Sequence, residues 1–583
     1  MKNIYLQFEK LKSYLFLVSQ KEVSESDDSK TIFVPYLFFV GVIVFYITFM
    51  LAKQPNWVLG GEMWAEMATN YFSNASSSSY YVKFFATDAG YVPFPQRVIA
   101  YIGNIVSLPA TIIPYFYTWA AIIVTAMMVG SFSLPIFRKL IENDLLRFLA
   151  SISILIVVDF ETRTFINFTY FVAFFGAIIT ALSLVQTNSE KVPSWAWLLP
   201  FLLVSKPAAL SVFPIMLIAA ISSNNRFRLI SLVTLIFVAL QLLQLSISLG
   251  AGAFQHAQSN EITILIKLLA TIKYFFGFLG GYIFGPDMGF DKNTKLIAGI
   301  IVFFILTILL FKARFKNNAL VLVGLSLIFS NVLLNSFTLP SVWTIEINNL
   351  NGLPLYRHVI VAYSGVILVV VGLITHIENL RFTTKNNLLQ NMSIFIFLLW
   401  FISTGWMKLG LGISKEPSSP TLDNSHWQTL SSLVDSPEQT VCVQINPIQW
   451  VYGRNCKVIN QGLVWGTNQF KKVDKKLITF ELEKIKQQKI KELNIQSFSI
   501  LIKPNSYRKT FIEAVAVLKT TDGRNFEFFG QANILPSGGT LLFTTSKLLL
   551  VKNVSKIKII FNSQVEIAVK ENTPAILWMG KIE

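Results

Sequence analysis

Residues 32–52, IFVPYLFFVGVIVFYITFMLA, contain no charged side chain, and runs of this kind recur as far as residue 411. A helix needs about 20 apolar residues to cross a hydrocarbon core of ~30 Å. Runs long enough lie near 32–52, 111–134, 142–159, 165–186, 227–249, 294–311, 319–337, 357–377 and 391–411. One more, 195–221, is interrupted by Ser205, Lys206 and Pro207. A lysine beside a proline at mid-run reads as the tip between two short helices, which brings the expected count to about eleven crossings. With 53% hydrophobic residues and 50 Phe, the chain is a polytopic α-helical membrane protein, not a soluble globule.

The basic loops orient this pattern. Lys and Arg in short loops favour the cytoplasmic side, and residues 137–147, 224–228, 311–318 and 376–387 all fall on that side if the amino terminus is cytoplasmic and residues 262–284 do not cross. Lys267 and Lys273, with Gly277, Gly280 and Gly281, suit a re-entrant or surface-lying segment there. The carboxyl terminus is then external. Residues 1–31 lack the continuous apolar core and small-residue cleavage site of a signal peptide and read as a cytosolic amphipathic segment with a polar linker. The formal charge of +17 is spread over loops and a Lys-rich stretch of the tail, which argues against a nucleic-acid partner.

Beyond residue 411 the pattern changes. KEPSSPTLDNS reads as a linker, and SFSILIKP, AVAVLKTTDG, TLLFTTS and KIKIIFNSQVEIAV alternate as strands do between turn signals. Residues 412–583 are therefore expected to form an extracytoplasmic, β-sandwich-like domain, with 32–411 as the transmembrane domain. The chain has two cysteines, Cys442 and Cys456, and an oxidising compartment would let them pair.

The polar residues on the external side carry the candidate chemistry. The longest connection of the amino-terminal half, residues 53–110, contains GGEMWAEMATNYF, where Glu62 and Glu66 are four apart and would share one face of a short helix. It also contains FFATDAGYVPFPQRVIAY, with Asp88 in a turn-forming stretch and Arg97 nine positions on. DFETR offers Asp159, Glu161 and Arg163; Lys206 caps the broken hairpin; LPLYRHV places Arg357 and His358 at the mouth of a crossing. Plainer roles compete: a solvated helix face for Glu66, a turn cap for Asp88, snorkelling anchors for Lys206 and Arg163. Together, carboxylates and cations at one membrane surface could activate a hydroxyl and hold a phosphate. The dispersed histidines do not suggest a transition metal, whereas Glu62 and Asp88 are a donor set compatible with a divalent cation.

These features resemble the GT-C superfamily of polytopic membrane glycosyltransferases, which take a sugar from a polyprenyl-phosphate carrier. Glu62 falls where that family places an acid in its first external loop. TDAGYVPFPQRVIA is similar to first-loop sequences of bacterial glucosyltransferase-like membrane proteins, and YRHVIVAY resembles a degenerate form of an Arg-Tyr motif before a late crossing. The resemblance covers residues 1–411 by architecture. It implies a GT-C fold, transfer to a surface polysaccharide (as in O-antigen modification) or a glycolipid acceptor, Asp88 or Glu62 as base, and Arg357 with His358, Arg163, Lys206, Arg97 and Glu66 as substrate contacts. A polysaccharide polymerase or ligase, a flippase for lipid-linked saccharides and a membrane scaffold are the competing classes; the absence of an internal repeat weighs against the transporter.

Overall fold

The computed structural model describes residues 34–77, 79–88, 90–185, 192–222, 225–248, 262–312, 318–353, 355–381, 387–412, 426–435, 441–446, 450–454, 456–458, 470–472, 477–481, 495, 497–508, 510–534, 536, 538–545, 551–562, 565–570 and 576–580. The segment 1–31 and the linker after residue 412 lie outside them. Two compact units emerge, and neither is continuous in sequence. One comprises Met1–Lys53, Phe84–Ile99 and Trp119–Ser419; the other comprises Gln54–Lys83, Ala100–Thr118 and Pro420–Glu583. The connection 53–110 is thus shared between them, and most of it belongs with the tail.

Among the described residues, seven helical stretches are long and apolar enough to cross a membrane: Tyr36–Lys53, Ile113–Lys139, Phe168–Val185, Arg226–Ile247, Ile264–Phe284, Lys292–Lys312 and Asn318–Thr338. Ser194–Leu203, Pro207–Ser222, Ile360–Thr375 and Met392–Ser403 are shorter apolar helices. The break at 204–206 falls where the Lys-Pro pair put it, with Pro207 opening the second short stretch. The run 142–159 contains a helix of only 13 residues, Asp144–Ile156. Within it Arg147 is fully buried, donating to the carbonyls of Phe132 at 3.1 Å and Ile141 and pairing with Asp144. Its charge is tolerated because its donors are satisfied locally.

For residues 262–284 the sequence suits a re-entrant or surface-lying segment. They form one unbroken 21-residue helix, Ile264–Phe284. Gly280 packs closely against Gly299 of the helix Lys292–Lys312. A Cβ on Gly280 would lie 2.1 Å from the Lys295 carbonyl oxygen, and one on Gly299 would lie 1.7 Å from that of Phe276. Small residues that let two backbones approach are a packing device inside a bilayer. The lysines are accommodated at the side of the helix, Lys267 with Nζ 5.7 Å from the Phe337 ring centroid and Lys273 with Nζ 3.5 Å from the Ile345 carbonyl oxygen.

The second unit is rich in strands. Its described strands are β1 (Val441–Ile445), β2 (Trp450–Arg454), β3 (Cys456–Val458), β4 (Phe470–Lys472), β5 (Leu477–Glu481), β6 (Ser497–Pro504), β7 (Thr510–Thr520), β8 (Asn525–Ile534), β9 (Gly539–Thr544), β10 (Val554–Asn562), β11 (Ile567–Lys570) and β12 (Ile576–Gly580). β1 and β2 form a separate antiparallel pair. The others join in one ten-stranded sheet along the path β3-β12-β6-β9-β8-β7-β10-β5, with β11 and β4 branching from β6. This is a single curled sheet, not two stacked ones. Period-2 alternation sends Ile512, Ala514, Ala516 and Leu518 of β7 into a core shared with Phe498, Ile500 and Ile502 of β6 and Ile557, Ile559 and Phe561 of β10. A register shift between Val554 and Lys556 adds to the curvature. Cys442 pairs with Gly453 across β1–β2 and Cys456 opens β3; the expected disulfide rests on side chains outside the described set.

Candidate functional site

In the first unit the stretch around Asp88 folds into a tight turn. The Asp88 N–H donates to the Tyr91 carbonyl at 2.7 Å, the Tyr91 N–H returns a bond to the Asp88 carbonyl at 3.2 Å, and Gly90 takes φ +87° between them. A left-handed residue at that position suits glycine. Asp88 is 9% exposed. The chain then runs against the broken hairpin. The Phe94 N–H donates to the Val204 carbonyl at 3.0 Å, and the Gln241 amide donates to the carbonyls of Ser205 at 2.9 Å and Val92 at 3.4 Å. This seating brings the Lys206 ammonium to 5.0 Å from the centre of the Tyr91 ring.

The loops at 159–163 and 353–358 meet the same region. The Asp159 N–H donates to the Leu355 carbonyl at 3.1 Å, while the Asp159 carboxylate accepts from the Thr162 N–H and caps the short helix Phe160–Arg163. Arg357 forms an ion pair with Glu161, both side chains being partly exposed. Arg357 also donates through Nε to His358 Nε2 at 3.4 Å, so that ring nitrogen is an acceptor. His358 packs edge-on to Tyr170 and Tyr356, its carbonyl accepts from the Asn335 amide at 2.7 Å, and both Arg357 and Lys206 bring positive charge to bear on it. The Asp88 turn thus meets Lys206 through Tyr91, and Lys206 in turn bears electrostatically on His358 beside Arg357.

Two other expected contacts turn inward. Arg163 is 5% exposed, donates to the Ile156 carbonyl at 2.9 Å and lies over the Phe49 ring at 5.1 Å. Arg97 is 3% exposed and reaches the Ala86 carbonyl at 3.4 Å. Glu161, Tyr91, Tyr170 and Gln241 join the region without having been singled out as substrate contacts. Only Glu161 left a signal in the sequence, as the second acid of DFETR.

Glu62 and Glu66 lie in the second unit, and they do not share a helix face. The helix Pro55–Gly60 stops at Gly61, which adopts φ +66°; a Cβ there would lie 2.4 Å from the Gln428 amide nitrogen and 2.5 Å from the Tyr115 ring. Glu62 follows outside regular secondary structure, and Glu66 caps the next helical turn, Met67–Phe72. Glu62 is 3% exposed. Its Oε2 accepts from the Trp427 N–H at 3.1 Å, at the start of the helix His426–Asp435, and from the Asn446 amide at 3.4 Å. Backbone bonds between Met63, Ala65 and Asn446 continue the tie. The Ala110 N–H donates to both oxygens of Asp435 at 3.0 Å, and the Trp427 indole donates to the Ala110 carbonyl at 2.6 Å. Glu62 is thus part of a clamp between the first long connection and the tail.

No protein-family model, curated protein or solved structure matches this chain. Function is argued from its own geometry. Among the described residues, no three His, Cys, Asp or Glu side chains gather as a metal-binding group.

Burial pushes the Glu62 carboxyl up to about 8, against the smaller opposing effect of its bonds from Trp427 and Gln428. For an acid raised above its ordinary value of 4.5, the stabilising contribution is complete below that value and is lost as pH rises through the folded one. Thermal unfolding of the full chain in detergent should therefore show a midpoint that falls between about pH 5 and pH 8. Glu62→Gln, which keeps an acceptor for the Trp427 N–H, should flatten that decline; an identical slope in the variant would show that Glu62 is not its source.

Proposed function

We propose that the chain is a membrane glycosyltransferase of the GT-C type, moving a sugar from a polyprenyl-phosphate carrier to a surface polysaccharide or glycolipid acceptor. The observation that carries this reading is Lys206 beside the Asp88 turn and within electrostatic reach of His358, itself bonded by Arg357, in loops that join apolar helices. A bacterial inner membrane, with the amino terminus cytoplasmic and the tail periplasmic, is the setting we infer.

In this reading Asp88 takes the proton of the acceptor hydroxyl. The oxygen forms its bond to the sugar's anomeric carbon, the bond from that carbon to the phosphate oxygen breaks, and the lipid phosphate departs with the electron pair. Arg357 and Lys206 hold that phosphate as its charge grows, and uncharged His358 Nε2 stays within the Arg357 hydrogen bond. Glu161 keeps Arg357 oriented before the donor arrives. Glu62 is the weaker candidate for base, because its carboxyl is engaged by Trp427 and Asn446 and is largely protonated near neutral pH.

Arg357→Gln supplies the test, with purified protein, a polyprenyl-phosphate hexose and a glycan acceptor. A cation on phosphate acts in both ground and transition states. Loss of one charge-assisted contact is worth about 1.5–3 kcal/mol, so the donor KM should rise by about 10- to 100-fold. An unchanged donor KM would remove Arg357 from the donor site, and transport of the lipid-linked sugar without transfer would favour the flippase reading.

A further inference from the structure

The second unit holds a cavity of about 1110 Å³ on the outward face of β7, β8 and β9. Its floor is set by strand register. Across β7 and β8, Phe511 is opposite Asn533, Glu513 opposite Gln531, and Val515 opposite Phe529. On one side Thr544 of β9 faces Phe529; on the other Asn562 of β10 faces Glu513, with its amide 3.3 Å from the Glu513 carboxylate. The opposite wall includes Asn56, Leu59, Glu62 and Thr429. The alternation that buries Ile512 and Ala514 behind the sheet presents amides, hydroxyls and two phenyl rings in front of it.

The chemistry of this lining is selective. The chain carries a formal charge of +17, yet no Lys, Arg or His is among the described residues around the cavity. A phosphate or uronate would find no cation there and would meet Glu513. A purely apolar ligand would bury Asn56, Gln531, Asn533 and Asn562 against nothing that bonds them, which is costly. Neutral polyhydroxylated rings suit the site, because amides and hydroxyls both donate and accept. Phe511 and Phe529 are 53% and 54% exposed and line the cavity, which leaves aromatic surface available to a ligand. They sit on neighbouring strands at positions separated by roughly 13 Å along the strand direction at ~3.3 Å per residue. The volume exceeds that of a typical small-ligand pocket of about 300–1,000 Å³, which leaves room for more than one ring. Glu62 adds an independent sign: it lines the cavity, is 3% exposed, and its Oε1 has no hydrogen-bond partner.

We propose that this cavity binds a neutral oligosaccharide, with ring faces on Phe511 and Phe529, hydroxyls on Glu513, Gln531 and Asn533, and the buried, unpartnered oxygen of Glu62 at its wall. With its carboxyl held largely protonated near neutral pH, Glu62 can donate to a sugar oxygen. The proposal is independent of the transferase reading, since binding needs neither lipid donor nor Asp88.

The test uses the full chain in detergent, titrated by thermophoresis with maltohexaose, mannohexaose and chitohexaose, and with an oligogalacturonate as the anionic comparison. At least one neutral hexasaccharide should bind saturably and in preference to the oligogalacturonate. Phe529→Ala and Gln531→Ala, both on the solvent face of β8, should each weaken that binding about tenfold while leaving the thermal midpoint in place. No neutral glycan bound, preference for the oligogalacturonate, or binding unmoved by both variants would overturn the proposal. No donor is present, so failure of a transfer assay would not bear on it.

Discussion

Asp88→Asn is expected to lower sugar transfer by about 10²- to 10⁴-fold, the usual contribution of a general base, with the protein still folded. The turn around Asp88 is held by two backbone bonds to Tyr91 and by Gly90 at φ +87°. An amide of the same shape leaves those backbone bonds in place and takes away the carboxylate's charge and proton affinity. Single-turnover rates with saturating polyprenyl-phosphate hexose would isolate the chemical step from donor binding. Glu62→Gln is the paired control and should transfer at close to the wild-type rate. The opposite pattern would assign the base to Glu62, and wild-type rates in both variants would leave neither carboxylate in the chemistry.

Gly299→Ala should have the largest effect on folding. The added Cβ would lie 1.7 Å from the Phe276 carbonyl oxygen and 3.0 Å from the Gly280 nitrogen. These are backbone atoms of the facing helix, so no rotamer change relieves the overlap and the two helices must separate. Ordinary overpacking costs about 1–3 kcal/mol, and this clash should reach or exceed the top of that range. The measurement is the yield and thermal midpoint of detergent-solubilised protein, with Gly60→Ala as the control, since a Cβ on Gly60 meets nothing within 4 Å. A native midpoint for Gly299→Ala would mean that the seam between Ile264–Phe284 and Lys292–Lys312 is not closed in the folded protein.

The hydropathy of short windows determined much of this protein unaided. Tyr36–Lys53, Arg226–Ile247 and Lys292–Lys312 lie close to the apolar runs that announce them, because a membrane-length helix satisfies its own backbone and needs no partner to be recognised. The break before Pro207 follows from a missing N–H and a fixed φ. SFSILIKP coincides with β6, and KIKIIFNSQVEIAV divides into β10 and β11, because period-2 alternation is also local.

What the sequence could not decide depended on atoms far along the chain. That Gly280 serves a close helix contact is set by the backbone of the facing helix, at Lys295 and Gly299. Glu62 reads as a catalytic acid from its position after a crossing, yet its oxygen is claimed by an N–H 365 residues away, and that donor with the surrounding burial sets its protonation. The alternation of strands specifies which side chains face outward but not which strands adjoin, so two stacked sheets and one curled sheet share the same pattern. The grouping of Lys206, Arg357 and His358 likewise required loops more than 100 residues apart to be brought together. Local sterics and hydropathy are properties of a window; the role of a glycine or a carboxylate is a property of its neighbours, and tertiary structure alone supplies those.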